Sequence, residues 1–276
     1  MSMTTTSAAA IGPLKQLPPG RYSIRDQMRS EWTKLISVRS TIWTLGLTIV
    51  IGIGVSAIAT AETRSHWAST QHGGFDPTSL SLTGVFISQL IIGVLGVMVM
   101  SAEYGTGTIR ATLSATPRRP GVLVAKVAVF GFVALVVSMV TAFLSFFVGQ
   151  ALLTAPAVHA TLSSPNALRE IVGTGIYLFL IGLFALSLAT LIRHTAGAIS
   201  TFVGILLVLP TVLQALPNSL QHDIVKFTPS RIGIAVLSRS GQHPYAFSPW
   251  VGLAVLAGYT AGLLIIAGVK FTKRDA

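Results

Sequence analysis

Six stretches of this sequence carry no Asp, Glu, Lys or Arg: residues 40–61, 77–102, 127–168, 171–192, 195–221 and 240–269. A bilayer core of roughly 30 Å takes about 20 apolar residues of helix to cross, and each stretch supplies them. In hydrocarbon every backbone N–H and C=O must be paired within the protein, so such stretches span as helices or close into a barrel. A barrel needs alternating strands of about ten residues, and the stretches show neither that length nor that alternation. The chain is expected to be all-α, a polytopic membrane protein with transmembrane helices at 41–61, 80–102, 127–148, 171–192, 196–216 and 247–269. The second half of the third stretch reads as an exposed loop, because Pro156, His159, Ser163, Ser164 and Pro165 fall there.

Composition narrows the alternatives. The 276 residues are 51% hydrophobic and only 10% charged, and cysteine is absent. Intrinsic disorder, a disulfide scaffold and a large soluble catalytic domain are excluded together, since no stretch is both long and polar. Residues 1–21 read as a flexible tail, 22–270 as a single transmembrane domain and 271–276 as a short second tail. No apolar run precedes Pro18-Pro19, so a cleaved signal peptide is not expected and the first span is its own insertion signal.

Lys and Arg set the orientation, because positive flanks stay in the cytoplasm. With the N-terminus inside, fourteen basic residues fall on cytoplasmic segments and five outside, namely Arg64, Arg169, Lys226, Arg231 and Arg239. Both termini are expected in the cytoplasm. The net charge of +11 is then accounted for by contact with anionic lipid headgroups. Nucleic acid is not an expected partner, since the basic residues are scattered over four membrane-edge segments rather than gathered on one face.

Three pieces outside the spans carry further pattern. Residues 22–39 have Ile24, Met28, Trp32, Leu35 and Ile36 at helical spacing, with Arg25, Asp26, Arg29, Ser30, Lys34 and Ser37 opposite. This predicts an amphipathic helix in the membrane interface, opened by Ser23 and Asp26. The 103–126 loop predicts a short helix capped by Thr108 and ended by Pro117, suited to docking a cytosolic partner. Its Gly105 and Gly107 do not make a phosphate loop, because no Gly-x-x-x-x-Gly-Lys-Ser/Thr occurs in the chain. Between the last two spans, Leu220, Ile224 and Phe227, and then Ile232, Ala235 and Val236 after Thr228-Pro229, predict two short helices dipping in from outside.

The order of these parts resembles the membrane subunits of type 2 ABC (ATP-binding cassette) exporters, the ABC permeases, over nearly the whole chain. The residues that carry the resemblance are Ser30-Glu31-Trp32-Thr33-Lys34-Leu35 before the first span, Glu103-Tyr104, Gly107-Thr108-Ile109-Arg110, Pro117-Arg118-Arg119, Lys126 opening the third span, and Thr228-Pro229. The Gly107-Thr108 loop looks most like bacterial drug-export permeases. The resemblance implies a second permease subunit, the same or different, and two copies of a separate ATPase subunit that binds ATP and Mg. This chain would bind no cofactor itself and would sit in the bacterial cytoplasmic membrane. It also implies a coupling helix around 106–113, with Glu103, Tyr104, Thr106, Gly107, Thr108, Ile109 and Arg110 at the ATPase and Arg193 as a smaller second contact. The cargo would be an amphipathic or hydrophobic small molecule, and Phe86, Gln89, Phe202 and Thr211 are candidates to touch it.

Rival readings remain at this level. A secondary transporter usually needs ionisable groups at mid-membrane, and none lies inside the predicted spans. A membrane-embedded enzyme would need paired groups, yet the six histidines are dispersed through loops and no metal site is expected. A non-transporting anchor or sensor would share the topology. Ala254, Gly258 and Gly262 give the sixth span a small-residue stripe for close helix contact, inside the subunit or between subunits.

Overall fold

The computed structural model describes residues 23–67, 75–105, 107, 119–155, 157–217, 223–238 and 246–274. Helix α1 (Ile24–Ser37) is followed by α2 (Arg39–Ser65), α3 (Pro77–Ser81), α4 (Val85–Gly105), α5 (Arg119–Leu152) and α6 (Ala167–Ile192). Then come α7 (Thr195–Val203), a π-helical stretch (Gly204–Val208), α8 (Leu209–Leu213), α9 (Pro229–Leu237) and α10 (Pro249–Arg274). All regular structure among the described residues is helical. Among the described residues six helices are long and apolar enough to span a bilayer: α2, α4, α5, α6, α10 and the run Thr195–Leu213. The all-α, six-span reading therefore holds.

The helices overrun the predicted spans. The third runs Arg119–Leu152 rather than 127–148, and the first Arg39–Ser65 rather than 41–61. Residues expected at membrane edges, Glu103, Lys126 and Glu170 among them, thereby fall within helices and are buried. The second span starts later than predicted, because Asp76 caps a separate turn of helix. Its Oδ1 accepts from the N–H groups of Thr78 (3.0 Å) and Ser79 (3.3 Å), and residues 82–84 turn before α4 begins. The fifth span is interrupted where a continuous helix is predicted. Pro210 has no N–H to give the Leu206 carbonyl, and just before it the ladder shifts so that Leu209 N donates to Gly204 O.

Helix α6 is the axis of the bundle, with 78% of its apolar window buried against 17% for α2. It packs against α4, α5, α7, α9 and α10. Ile92 of α4, Phe130 of α5 and Leu178 and Ile181 of α6 are fully enclosed there. Glycine permits the closest approaches: a Cβ on Gly96 would strike the Gly182 carbonyl of α6, and one on Gly84 the Gly52 carbonyl of α2. The Ala254 and Gly258 part of the stripe on α10 is exposed, and a Cβ on Gly258 or Gly262 meets nothing. The stripe faces away from its own bundle.

Opposite the α1 end, side chains fasten the connections. Gln150 Nε2 donates to Pro77 O (2.8 Å) and Ser81 Oγ (2.7 Å), while its Oε1 accepts from Ala160 N (2.6 Å). One amide thus holds α3 and the chain after α5 to the same helix end. Helix α9 begins with Thr228-Pro229 as predicted, with Pro229 at its first position. Of the first predicted hairpin helix, residues 223–228 are described and are helical only at 223–225, while Leu220 lies outside the described residues.

Candidate functional site

Helix α1 begins with the predicted capping box, Ser23 Oγ accepting from Arg25 N (3.3 Å) and Asp26 Oδ2 from Ser23 N (3.2 Å). Ile24, Met28, Trp32 and Ile36 are exposed, as a helix lying against lipid requires. Glu31 and Leu35 instead turn inward to the bundle, so α1 has three faces rather than two. The inward carboxylate would be costly alone. It is met by Lys34 on the same helix and by Lys126 from α5.

Four side chains close a ring. Glu31 accepts from Lys34 Nζ through Oε1 (2.7 Å) and from Lys126 Nζ through Oε2 (2.6 Å). Glu103 Oε1 accepts from both Lys126 (2.9 Å) and Lys34 (3.0 Å). The formal charges cancel, and each cation lies between two anions. Lys126 is the most enclosed, its side chain 4% exposed, while that of Lys34 is 42% exposed. Burial alone would lower the Lys34 pKa, but hydrogen bonds and charges from Glu31 and then Glu103 outweigh it and hold it above the ordinary lysine value.

Position gives the ring its meaning. Glu103 lies near the end of α4 and Lys126 near the start of α5, so they flank the 106–118 segment from both sides. Glu31 and Lys34 belong to α1. The ring therefore ties α1 to the helix ends on both sides of that segment. Beside it, the Arg193 guanidinium lies over the Tyr104 ring at 5.5 Å and donates to Lys270 O at 3.4 Å, joining the α6–α7 turn to the ends of α4 and α10. Arg193 has φ 59°, the left-handed conformation that lets α6 stop, and His194 Nδ1 accepts from Gly197 N (3.2 Å) to start α7.

The predicted site residues fare differently. Glu103 faces into the ring rather than outward, Tyr104 and Arg193 pair, and Gly107 is exposed with a φ of 69°. Thr106, Thr108, Ile109 and Arg110 lie outside the described residues. Gln89 is buried, donating through Nε2 to Phe86 O (3.1 Å) and accepting from Tyr177 OH (2.5 Å) through Oε1. Phe202 is fully buried against Gly93, whose Cβ would strike its ring. Phe86 and Thr211 are exposed, and the Thr211 hydroxyl bonds back to Leu207 O (2.9 Å). Two of the four are sealed in the bundle and two face outward, so they do not converge within one chain.

Three ring members, Glu31, Lys34 and Lys126, were not singled out as site residues from sequence. The available signal was slight: Glu31 is an acid four residues before Leu35 on an amphipathic helix, and Lys126 is a base at the edge of an apolar span.

At the opposite end, Arg169 NH2 donates to Ser238 O (2.9 Å) and pairs with Glu170 (3.0 Å), while NH1 donates to Val236 O (3.4 Å). These contacts fix the end of α9 on α6. Gly233 sits on Tyr177, where a Cβ would come within 2.6 Å of the phenol ring. The Tyr177 hydroxyl thus lies between α9 and Gln89 of α4.

A family model described as "ABC-2 family transporter protein" matches residues 28–212, from within α1 to α8. No curated protein matches the chain.

Proposed function

Because the chain belongs to the ABC-2 family of transporter proteins and is a multi-pass membrane permease of an ABC transporter, we propose that it is the membrane half of an ATP-driven exporter. A separate ATPase subunit, in two copies, binds ATP and Mg and supplies the energy. A second permease subunit, identical or different, completes the pathway. The cargo is an amphipathic or hydrophobic small molecule leaving a bacterial cytoplasm, with both termini and the α1 end of the bundle on the cytoplasmic side. That orientation follows the basic residues: Lys34, Arg39, Lys126, Arg193 and Lys270 all belong to the α1 end.

The observation that carries the reading is the ring joining Glu103 and Lys126 to α1. If the 106–118 segment docks on the ATPase, any pull on it reaches α4 and α5 at once, and the ring hands the displacement to α1. Arg193 on Tyr104 passes the same motion to α6, α7 and α10. Glu103 then acts by transmitting movement rather than by touching the ATPase, whereas Arg110 is a direct contact. Phe86 and Thr211, both exposed, are available to line a pathway between two permease subunits.

The test is co-expression of the chain with its candidate ATPase and reconstitution of the complex. The reading predicts a stable complex whose ATP hydrolysis depends on the permease. A chain that never retains or stimulates an ATPase would refute it. Within the complex, Glu103→Gln should leave assembly intact while lowering transport per ATP hydrolysed.

A further inference from the structure

At the end of the bundle opposite α1, the residues just after α2, the start of α3 and the α5–α6 connection surround a cavity of about 490 Å³. That is the size of a small-molecule site. Gln150 fixes its frame, bonding both to Pro77 O and to Ala160 N, and both residues line the cavity. Asp76 caps α3, which carries Thr78 in the wall. On the other side Ser164 Oγ accepts from Thr161 N (2.9 Å) and tightens the connection. A cup built this way is shaped before anything enters it.

Part of the wall is flat and apolar. Trp67 and Phe75 meet edge to face, their ring centroids 5.0 Å apart and their planes at 80°, and Pro77 and Pro165 add two saturated rings. Thr78, His159 and Asn166 supply polar groups. Thr78 is only 3% exposed, and its hydroxyl has no hydrogen bond among the described residues. The exposed His159 ring has none either. Asn166 engages only its Oδ1, with Arg169 Nε at 3.4 Å, which leaves both N–H groups of the amide.

These groups narrow the ligand. Among the described residues that line the cavity, none is Asp, Glu, Lys or Arg. A charged ligand would shed its water here without a carboxylate, ammonium or guanidinium to replace it. A wholly apolar ligand would leave the Thr78 hydroxyl covered and unpaired. The wall suits a neutral molecule with one apolar face and hydroxyls around its edge. A pyranose ring has that form. The C–H groups on one side suit the negative face of an aromatic ring, and the hydroxyls both donate and accept.

We propose that this cavity binds a neutral saccharide, one sugar ring in the corner made by Trp67 and Phe75 and its hydroxyls bonded to Thr78, His159 and Asn166. The sugar arrives free in solution or as the headgroup of a glycolipid in the neighbouring leaflet, since both present the same ring. The site uses neither Phe86 nor Thr211 and does not depend on the transport reading.

The experiment labels the full chain with fluorotryptophan and places it in phosphatidylcholine nanodiscs, which carry no sugar and leave both faces open. The four tryptophans give four fluorine signals, and Trp67→Phe identifies the one from residue 67. Maltose, or a diglucosyl diacylglycerol in the nanodisc, should move that signal saturably, for maltose with a Kd of about 1 mM or tighter. A response to maltose alone identifies a free sugar as the source, and a stronger response to the glycolipid identifies a headgroup. Glucosamine and glucuronate, which keep the ring but carry charge, should bind at least about tenfold more weakly than glucose. Benzyl alcohol, with an apolar face and a single hydroxyl, should not displace maltose. Asn166→Gly removes the amide yet keeps the left-handed backbone, φ 68°, and should weaken sugar binding about tenfold. His159→Ala, on the exposed connection, should do the same and serves if Asn166→Gly does not fold. A Trp67 signal that answers neither sugar source would overturn the proposal. So would charged sugars binding as well as glucose, displacement of maltose by benzyl alcohol, or undiminished binding in a folded variant.

Discussion

The ammonium of Lys126 lies 2.6 Å from the Glu31 carboxylate, although 95 residues separate them in sequence. The pair joins a surface helix to the first turns of a transmembrane helix with hardly any solvent contact. Two buried charges in such a place gain little stability over an apolar pair, but removing one strands the other. Lys126→Met should therefore lower stability by about 3–5 kcal/mol. Lys34→Met, at the exposed corner of the ring, should cost about 1 kcal/mol or less. Thermal unfolding in nanodiscs checks the order, and equal losses would mean that the ring is not organised around Lys126.

The ring should also respond to pH in one direction. Lys34 has its folded pKa raised above the ordinary 10.5, so the protonated form is favoured by folding. The stability it contributes is fully present below the ordinary value and is lost as pH rises through the folded value. The unfolding temperatures of wild type and Lys34→Met should differ by a constant amount from neutral pH to about 9 and converge above 10.5. A difference that vanishes on the acid side of neutrality would contradict this assignment.

Tyr177 links α9 to α4 through Gln89, and Tyr177→Phe leaves the Gln89 oxygen without its donor. Interhelical hydrogen bonds of this kind are worth about 0.6–1.7 kcal/mol, and a loss in that range is expected. Gly233→Val should be worse, since its Cβ alone falls within 2.6 Å of the ring, and it should also make α9 more accessible to protease or labelling reagent. If Gly233→Val leaves labelling at residues 229–237 unchanged, the seat on Tyr177 is not what holds α9.

Gly93 and Phe202 are predicted to behave as one unit. Gly93→Ala drives a methyl into the Phe202 ring, and overpacking of this kind costs about 1–3 kcal/mol. Phe202→Leu makes room, so the double variant should recover most of that loss. Additive losses in the double variant would show that the two helices do not meet as described.

The spans were legible because hydrocarbon admits only helices or a closed barrel, and the charge-free stretches are too long and too little alternating for barrel strands. The caps at Ser23 and at Thr228-Pro229 were legible for a similar reason, each being a local rule satisfied within four residues. The ring was not. Glu31 and Lys126 each look like an ordinary membrane-edge charge, and only the folded bundle shows that they meet with Glu103 and Lys34. Gln89 and Phe202 show a different limit, since an amide and an aromatic ring in a span suit a cargo pathway as well as they suit the buried packing found here. The interruption at Gly204–Val208 had a visible cause in Pro210, but the same residue is compatible with a plain kink.

The central claim is that the 106–118 segment meets an ATPase on the cytoplasmic side while the opposite end of the bundle does not. Photo-crosslinking in the assembled complex, in membranes, tests this directly, with a photoreactive residue at Arg110 and, separately, at His159. A covalent adduct between the ATPase subunit and the Arg110 position, changing in yield with ATP and absent from His159, is the predicted result. An adduct from His159 with none from Arg110 would contradict both the orientation and the coupling role.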